Sequence, residues 1–565
     1  MKKIYLLLCI CFFAFTTNAQ NEISPDYNFN VSEPYQVYDA AKKYYFSKNN
    51  EILSVKPWKK YLVIQKFGVD DLNLISQKEY NDLPDNYVVE GMIELQDKYY
   101  FFYSSWSGKK TKEERLYYRE INFNTGEFAG EGIELINVSG KLAGSPMATY
   151  TSGGGFSAGG FGMSFGGFGV VDKFDFLTSK DESKLLVQYR KKPEVKRDTK
   201  SYDIIGVNVF DMNLKPLWAK EHKMPYTERR MDLLDFAVDA NGHGYILTKV
   251  FHDDSNKDKK KKKDTDANYH MELFRLLDGS EGIEKSKIVL NDKFINGISL
   301  FESEDGFMIC AGFYTNGLNN KLGNSDGLFT FKITKEGELV EKTSHEIPVE
   351  VLNQYVSKRT QKKNAKKDKK DKAEFANLQL RDLVINTDGS LVLIGEQTFV
   401  IQHRTSQGRV YYTFHNNDML LSKVDASGNL AWMKKLPKRQ SGAPKIGQVY
   451  DMSKTYQGGM SYSYFYTNGN HYLVYLDNVK NIDLKLDQVP ALHSDGHGGY
   501  LTAYKIDDAT GTVSKDNILD TRNVTDKLEV YQFSNNRVVK TAENEFVIEF
   551  YKKKKEDVLI KVEIK

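Results

Sequence analysis

The chain has three cysteines, and two of them, Cys9 and Cys11, lie in an apolar run near its start. If that run is removed as a secretory signal, the third, Cys310, has no cysteine to pair with, which excludes an intramolecular disulfide and leaves a hydrophobic core to hold the fold. Cys310 itself sits in Phe307-Met308-Ile309-Cys310-Ala311-Gly312, where it reads as a buried small hydrophobe rather than a nucleophile. An excess of one charge is also missing: Lys+Arg 79 against Asp+Glu 76 gives +3, so overall charge names no partner. Beyond the first residues no stretch approaches the roughly 18 apolar residues of a membrane helix, and no transmembrane segment is expected. Histidines are few. His493-Ser494-Asp495-Gly496-His497 brings two together, but its glycine makes a turn without the spacing or cysteines of a zinc site. No P-loop, Rossmann glycine pattern or EF-hand loop occurs, so neither cofactor nor metal is expected.

What is present starts with Met1-Lys2-Lys3, an apolar run from Ile4 to Phe15, and Thr16-Thr17-Asn18-Ala19. This is the pattern of a secretory signal over residues 1–19, and it predicts a mature chain over 20–565 exported to the periplasm, the cell surface or beyond. Leu7-Leu8 before Cys9 do not match the small residues of a lipoprotein signal. An outer-membrane barrel is disfavoured because the chain ends in Val562-Glu563-Ile564-Lys565, without a terminal aromatic, and its best strands are continuously apolar rather than alternating.

Internal repetition is the strongest signal. Val384 to Gly395, Leu300 to Gly312 and Phe236 to Leu247 each combine a short apolar piece, a polar turn ending in Asp-Gly or Asn-Gly, and a strand apolar on both faces. Such turns supply the positive backbone angles of a tight hairpin. Weaker copies turn at Trp58-Lys59, Gln96-Asp97, Lys180-Asp181-Glu182, Asn468-Gly469-Asn470 and Glu543-Asn544-Glu545, which makes about eight units. A second, amphipathic hairpin follows most of them, most clearly Met419 to Trp432, with relatives at Leu328 to Leu339, Gly206 to Trp218 and Ala503 to Val513. Two hairpins per unit, apolar inside and more polar outside, predict an all-β fold: a β-propeller of seven or eight four-stranded blades with Gly/Phe-rich and Lys-rich insertions. The last unit, Glu545 to Lys565, lacks an outer strand, and Tyr27 to Val31 is the segment expected to supply it and close the ring.

The turn Asp425-Ala426-Ser427-Gly428-Asn429-Leu430-Ala431-Trp432 resembles the bacterial secreted propeller repeats of the SBBP type, in which a strand ends in D-x-x-G-x-x-x-W. The resemblance implies a fold and no activity, because those repeats carry no shared catalytic set.

Three inserts interrupt the rhythm. Residues 151–169 contain Gly162-Met163-Ser164-Phe165-Gly166, but the surrounding glycines form neither the strand nor the helix of a nucleophile elbow. Two readings of this insert stay open: a linker, or a loop whose Phe156, Phe161, Phe165 and Phe168 dock into a groove or a partner. Residues 252–267 mix lysines with aspartates and read as a solvated loop. In residues 349–376, after Pro348, a basic helical insert is expected. There Lys358, Arg359, Lys362, Lys363, Lys366, Lys367, Lys369, Lys370 and Lys372 face Asp368 and Asp371 only. No aromatic residue is interleaved with them, so nucleic acid is not an expected partner. The leading expectation is a non-catalytic binding or scaffolding propeller that engages a protein or glycan of the cell envelope. A propeller-based hydrolase or lyase acting on polysaccharide or peptide is one alternative. Attachment to an envelope polyanion through Lys358–Lys372 is the other.

Overall fold

A strand packed between neighbours on both faces has no side to turn to water. Gly244–Phe251 and Met308–Thr315 show this, being buried at every residue. Outer strands such as Leu339–Glu346 instead alternate between exposed and half-buried positions. The computed structural model describes residues 23–565 apart from 39, 41, 59, 145, 147–172, 194, 196, 262–263, 265, 289–292, 304–305, 319–322, 405, 408–409, 443–459, 526–527, 533–536 and 553–554. Residues 1–19, expected to be a secretory signal, and the Gly/Phe-rich insert 151–169, with its four phenylalanines, therefore lie outside the described residues.

Eight antiparallel sheets form the blades of a β-propeller, the upper of the two expected counts. Blades 1 to 7 span 44–80, 88–139, 142–227, 231–288, 294–346, 378–442 and 463–520. Blade 8 is built from Val538–Ala542, Glu545–Lys552, Glu556–Ile564 and the N-terminal Tyr27–Val31. First strands of successive blades lie against one another, as Met231–Val238 does against Phe294–Glu302, which places them innermost around the axis. The core is divided accordingly: eight apolar clusters, one at each junction between neighbouring blades, complete the circle.

Inner hairpins turn where the repeat places them in blades 2 to 8. Blade 1 differs. There the inner turn is Asn49-Asn50, both in the left-handed region at φ 52° and 60°, and Trp58, at the expected turn, instead ends the second strand opposite Tyr61 of the third. Glu51–Trp58 and Tyr61–Gly68 are both almost wholly buried, so apolar content does not mark which turn is the inner one.

Closure joins the chain's two ends. Tyr27 lies opposite Ile564 and Val31 opposite Ile560. Beside this seam, between blades 8 and 1, sits a buried charge cluster. Glu549 bonds Lys43 (2.5 Å), Lys56 and the Tyr35 hydroxyl (2.7 Å), and Lys43 also reaches Asp557 (3.1 Å). Lys56 and Glu549 have no exposed side-chain surface. Burial lowers the Lys56 ammonium to about 8, while burial and the Glu549 charge push the Asp557 carboxyl up to about 6. Glu549 is held well below the usual carboxylate range, because the surrounding cations outweigh its own burial.

Candidate binding face and axial pocket

The two ends of the propeller are built differently. At one end, turns such as 49–50, 96–97, 425–429 and 508–512 join first to second and third to fourth strands in a few residues. The other end carries the second-to-third and blade-to-blade connections, among them, within the described residues, the long segments 347–377 and 478–499 and the described part of 252–268. Blade 6 projects from the same end as a long hairpin, Leu391–Arg404 with Val410–Val424. Loops gathered on one end of a rigid ring are the usual place for a binding surface.

Within 347–377, helix α1 (Val349–Leu352) follows Pro348 and buries Val351 and Leu352 in the cluster between blades 5 and 6. Helix α2 (Lys358–Asp368) begins at Ser357, whose Oγ accepts the Thr360 N–H. Gln361 and Asn364 tie α2 down by donating to the Asn353 carbonyl (3.2 Å) and side chain (2.9 Å). Its cations are left outward. Among the described residues, Lys358, Arg359, Lys362, Lys363, Lys366, Lys367, Lys369 and Lys370 have no carboxylate within ion-pair distance, whereas Lys372 has a contact of its own. The loop containing 252–267 is folded differently: Lys249 pairs with Asp258 (3.0 Å), and the Asn268 amide donates to Asp253 (3.0 Å) and the Lys257 carbonyl (3.1 Å). Next to α2, the Tyr355 N–H donates to the Leu486 carbonyl (2.6 Å). That contact sets the basic helix beside the 478–499 connection, where Leu486, Val489 and Leu492 are 59%, 50% and 39% exposed. An apolar patch next to a basic one is a surface suited to a partner.

At the axis, the first strands of blades 6, 7 and 8 enclose a pocket of about 350 Å³, lined by Arg381, Asp382, residues 461–465 and Val538. A bulge between Leu380 and Asp382 frees Arg381 to reach the buried Glu396 (3.4 Å). Glu396 also accepts from Lys438 (2.5 Å), Asn416 (3.0 Å) and Ser461 (3.0 Å). Burial would raise the Glu396 carboxyl, but Lys438 and Arg381 outweigh it and hold it below its ordinary value. The Tyr462 hydroxyl donates to Asp382 (2.6 Å) and is pushed well above its ordinary value by burial and that charge. Tyr464 shares a hydrogen bond with His471 (2.8 Å). The pocket thus offers fixed hydrogen-bonding groups, with Glu396 committed to four partners.

Two other inner-strand carboxylates have the raised pKa that can mark a catalytic acid. Burial pushes Glu90 and Asp235 each up to about 7. Both are occupied by the next blade: Glu90 accepts the N–H groups of Lys173 (2.8 Å) and Phe174 (3.2 Å), and Asp235 accepts that of Leu300 (2.7 Å). They act as staples between blades. Because their folded-state values lie above the ordinary 4.5 and 3.8, the folded chain holds extra protons up to about pH 7. Their stabilisation is full below that window and is lost as pH rises through it, at about 1.4 kcal/mol per pKa unit. Urea midpoints are expected to fall between about pH 5 and about pH 8 in the parent, and much less in a Glu90→Gln/Asp235→Asn variant. Equal slopes in the two proteins would refute the assignment.

His493 is buried in a short strand, His493–Ser494, that pairs parallel with the outer strand of blade 6. Among the described residues no group of three His, Cys, Asp or Glu side chains is placed to hold a metal. Cys310 is buried, and burial pushes its thiol well above the ordinary value. Sequence reasoning missed Glu90, Glu396 and Glu549, although Glu90 and Glu549 are acids within runs of apolar residues and Glu396 directly follows one.

No protein-family model matches the chain, and no curated protein matches it. Among solved structures it is similar to the WD40 domain of SCAP from fission yeast, at 6% identity over 96% of this chain and 99% of that one, with a TM-score of 0.36. It is also similar to the polysaccharide lyase Uly1, at 9% identity over 95% and 100% of the two chains, with a TM-score of 0.33. A prolyl endopeptidase shares 10% identity at a TM-score of 0.29, and the match covers 82% of this chain but only 59% of that one. At these identities the likeness is one of architecture alone.

Proposed function

We propose that this chain is an exported, non-catalytic β-propeller that binds a protein or glycan of the cell envelope through the end carrying its long connections. The observation behind this reading is the gathering of those connections at one end, with exposed Leu486, Val489 and Leu492 beside the basic helix α2. A second reading, attachment to an anionic envelope polymer, is favoured by the eight cations of Lys358–Lys370 that have no ion-pair partner among the described residues.

One co-sedimentation experiment with isolated envelopes tests both. A Leu486→Ser/Val489→Ser/Leu492→Ser variant is expected to lose association, while Leu217→Ser, on the outer strand of blade 3, keeps it. Neutralising the eight cations to glutamine is expected to remove whatever part of the association is screened as salt rises. Association that survives both changes would overturn the binding-face reading. Salt-insensitive association, unchanged by the glutamines, would remove the polyanion contact.

A further inference from the structure

The junction between blades 6 and 7 is filled by a set of interlocking groups. Trp432, third residue of the outer strand of blade 6, donates its indole N–H to the Asp508 carbonyl in the turn of blade 7 (2.9 Å). Lys423 (2.6 Å) and His471 (2.9 Å) hold the Asp508 carboxylate, and a Cβ on Gly511 would stand 2.6 Å from the Trp432 ring. Blade 3 makes a related contact with a different turn of blade 4: Trp218, again third in its outer strand, donates to the Gly242 carbonyl between that blade's first and second strands (2.9 Å). This gives the tryptophan of the repeat a physical role, as a bolt from one blade into a turn of the next.

Between blades 5 and 6 the same backbone register carries different side chains. Lys332 lies opposite Glu341 as Lys423 lies opposite Trp432, so Glu341 stands in the tryptophan position. Leu391 lies opposite Val424 as His471 lies opposite Ile506, so leucine replaces the histidine. The receiving turn opens with the Asp425 N–H on the Asn429 carbonyl, as Asp507 does on Thr512, which sets Ala426 in the place of Asp508. With the indole, the imidazole and the aspartate all absent, a cleft of about 300 Å³ remains. An engineered cavity of about 150 Å³ is enough to bind benzene, so an indole has room here. Ile309, Phe331, Leu391 and Val424 supply apolar walls, and Glu341, Asp388 and Asp425 against Lys332 make the lining anionic.

We propose that the cleft between blades 5 and 6 binds an indole carried on a positively charged chain, a tryptophan side chain of a basic peptide segment. The indole occupies the position that Trp432 fills at the next junction, with the Ala426 carbonyl in place of the Asp508 carbonyl. The acidic lining favours a cationic carrier over a neutral one. Asp388 and Asp425 keep their charge because hydrogen bonds from Ser390 and Asn429 hold both carboxyls below their ordinary value.

The full chain, titrated with tryptophanamide and observed by NMR, is expected to show saturable binding in the millimolar range, about tenfold tighter than N-acetyltryptophanamide or leucinamide. Glu341→Trp fills the cleft from within and is expected to abolish binding. Glu341→Gln leaves the cleft open, and is expected to weaken tryptophanamide severalfold with N-acetyltryptophanamide unchanged, which keeps the test sound if the tryptophan variant misfolds. Absence of saturable binding, equal binding of leucinamide, or binding that persists in a folded Glu341→Trp protein would overturn the proposal. The cleft belongs to the tight-turn end and is tested with small probes, so its failure is separable from that of the envelope-binding face.

Discussion

Replacing Glu549 with glutamine is expected to cost about 3–5 kcal/mol of unfolding free energy at neutral pH. That is a large part of the roughly 5–15 kcal/mol that holds a domain folded. Glutamine preserves the shape of the side chain and an acceptor for the Tyr35 hydroxyl, so the loss isolates the charge. Without it, Lys43 and Lys56 face only Asp557, whose carboxyl burial pushes up to about 6. Lys56→Met is the informative contrast. It removes one cation and leaves the Lys43–Glu549 pair in place (2.5 Å), so it is expected to cost little. Lys56→Met also carries a pH signature of its own. Lys56 titrates near 8 in the folded chain against an ordinary 10.5, so the unfolded chain holds the extra proton in that window, and stability rises with pH through it. Lys56→Met should abolish that rise. Denaturant unfolding of the three proteins at about pH 7 and pH 9 measures both effects. Equal costs for the two substitutions would show that packing, and not charge, holds the cluster.

The repeat was legible because it rests on local chemistry. Asp-Gly and Asn-Gly must turn, and a strand such as Met308–Thr315, apolar on both faces, must be sandwiched. The closing strand was legible by subtraction, since blade 8 had three strands and Tyr27–Val31 had no other place. The Asn49-Asn50 turn was not, because asparagine in the left-handed region is a permitted choice rather than a required one. The side chains that bind one blade to the next were invisible for a deeper reason. Glu90 meets the backbone of Lys173 and Phe174, and Asp235 that of Leu300, and a backbone N–H leaves no residue type to search for. Glu396 draws Arg381, Asn416 and Lys438 from three strands and Ser461 from the segment before blade 7, so the axial pocket exists only after these blades have come together. The cleft between blades 5 and 6 is a departure from the repeat, and a departure stands out only once Trp218 and Trp432 have shown what the position does.

Removing Tyr27–Val31 is expected to open the ring and to cost on the order of 3 kcal/mol after the entropy of ordering the segment is set against the burial it provides. Tyr27 is buried in the cluster between blades 7 and 8, with Phe29 and Val31 packed against it, and the Tyr27 hydroxyl donates to Asp516 (3.3 Å). Taking the strand away also leaves residues 560–564 as an edge with unpaired backbone groups, their Ile560 and Val562 no longer covered on that side, while Tyr35–Gln36 still pairs with Asp557 and Glu556. Such an edge pairs with whatever strand is available, so a chain beginning at residue 32 is expected both to unfold earlier in urea and to form dimers as its concentration rises. The two signatures separate closure from a general loss of packing. A core substitution such as Ile548→Ala, in the same cluster, should lower the midpoint without producing dimers. A synthetic peptide covering residues 23–31 should restore the midpoint and dissolve the dimers, because it supplies the missing strand without a covalent link. If the truncated chain stays monomeric and the peptide has no effect, blade 8 is complete with three strands, and the ring is held by its eight junctions without the N-terminal strand.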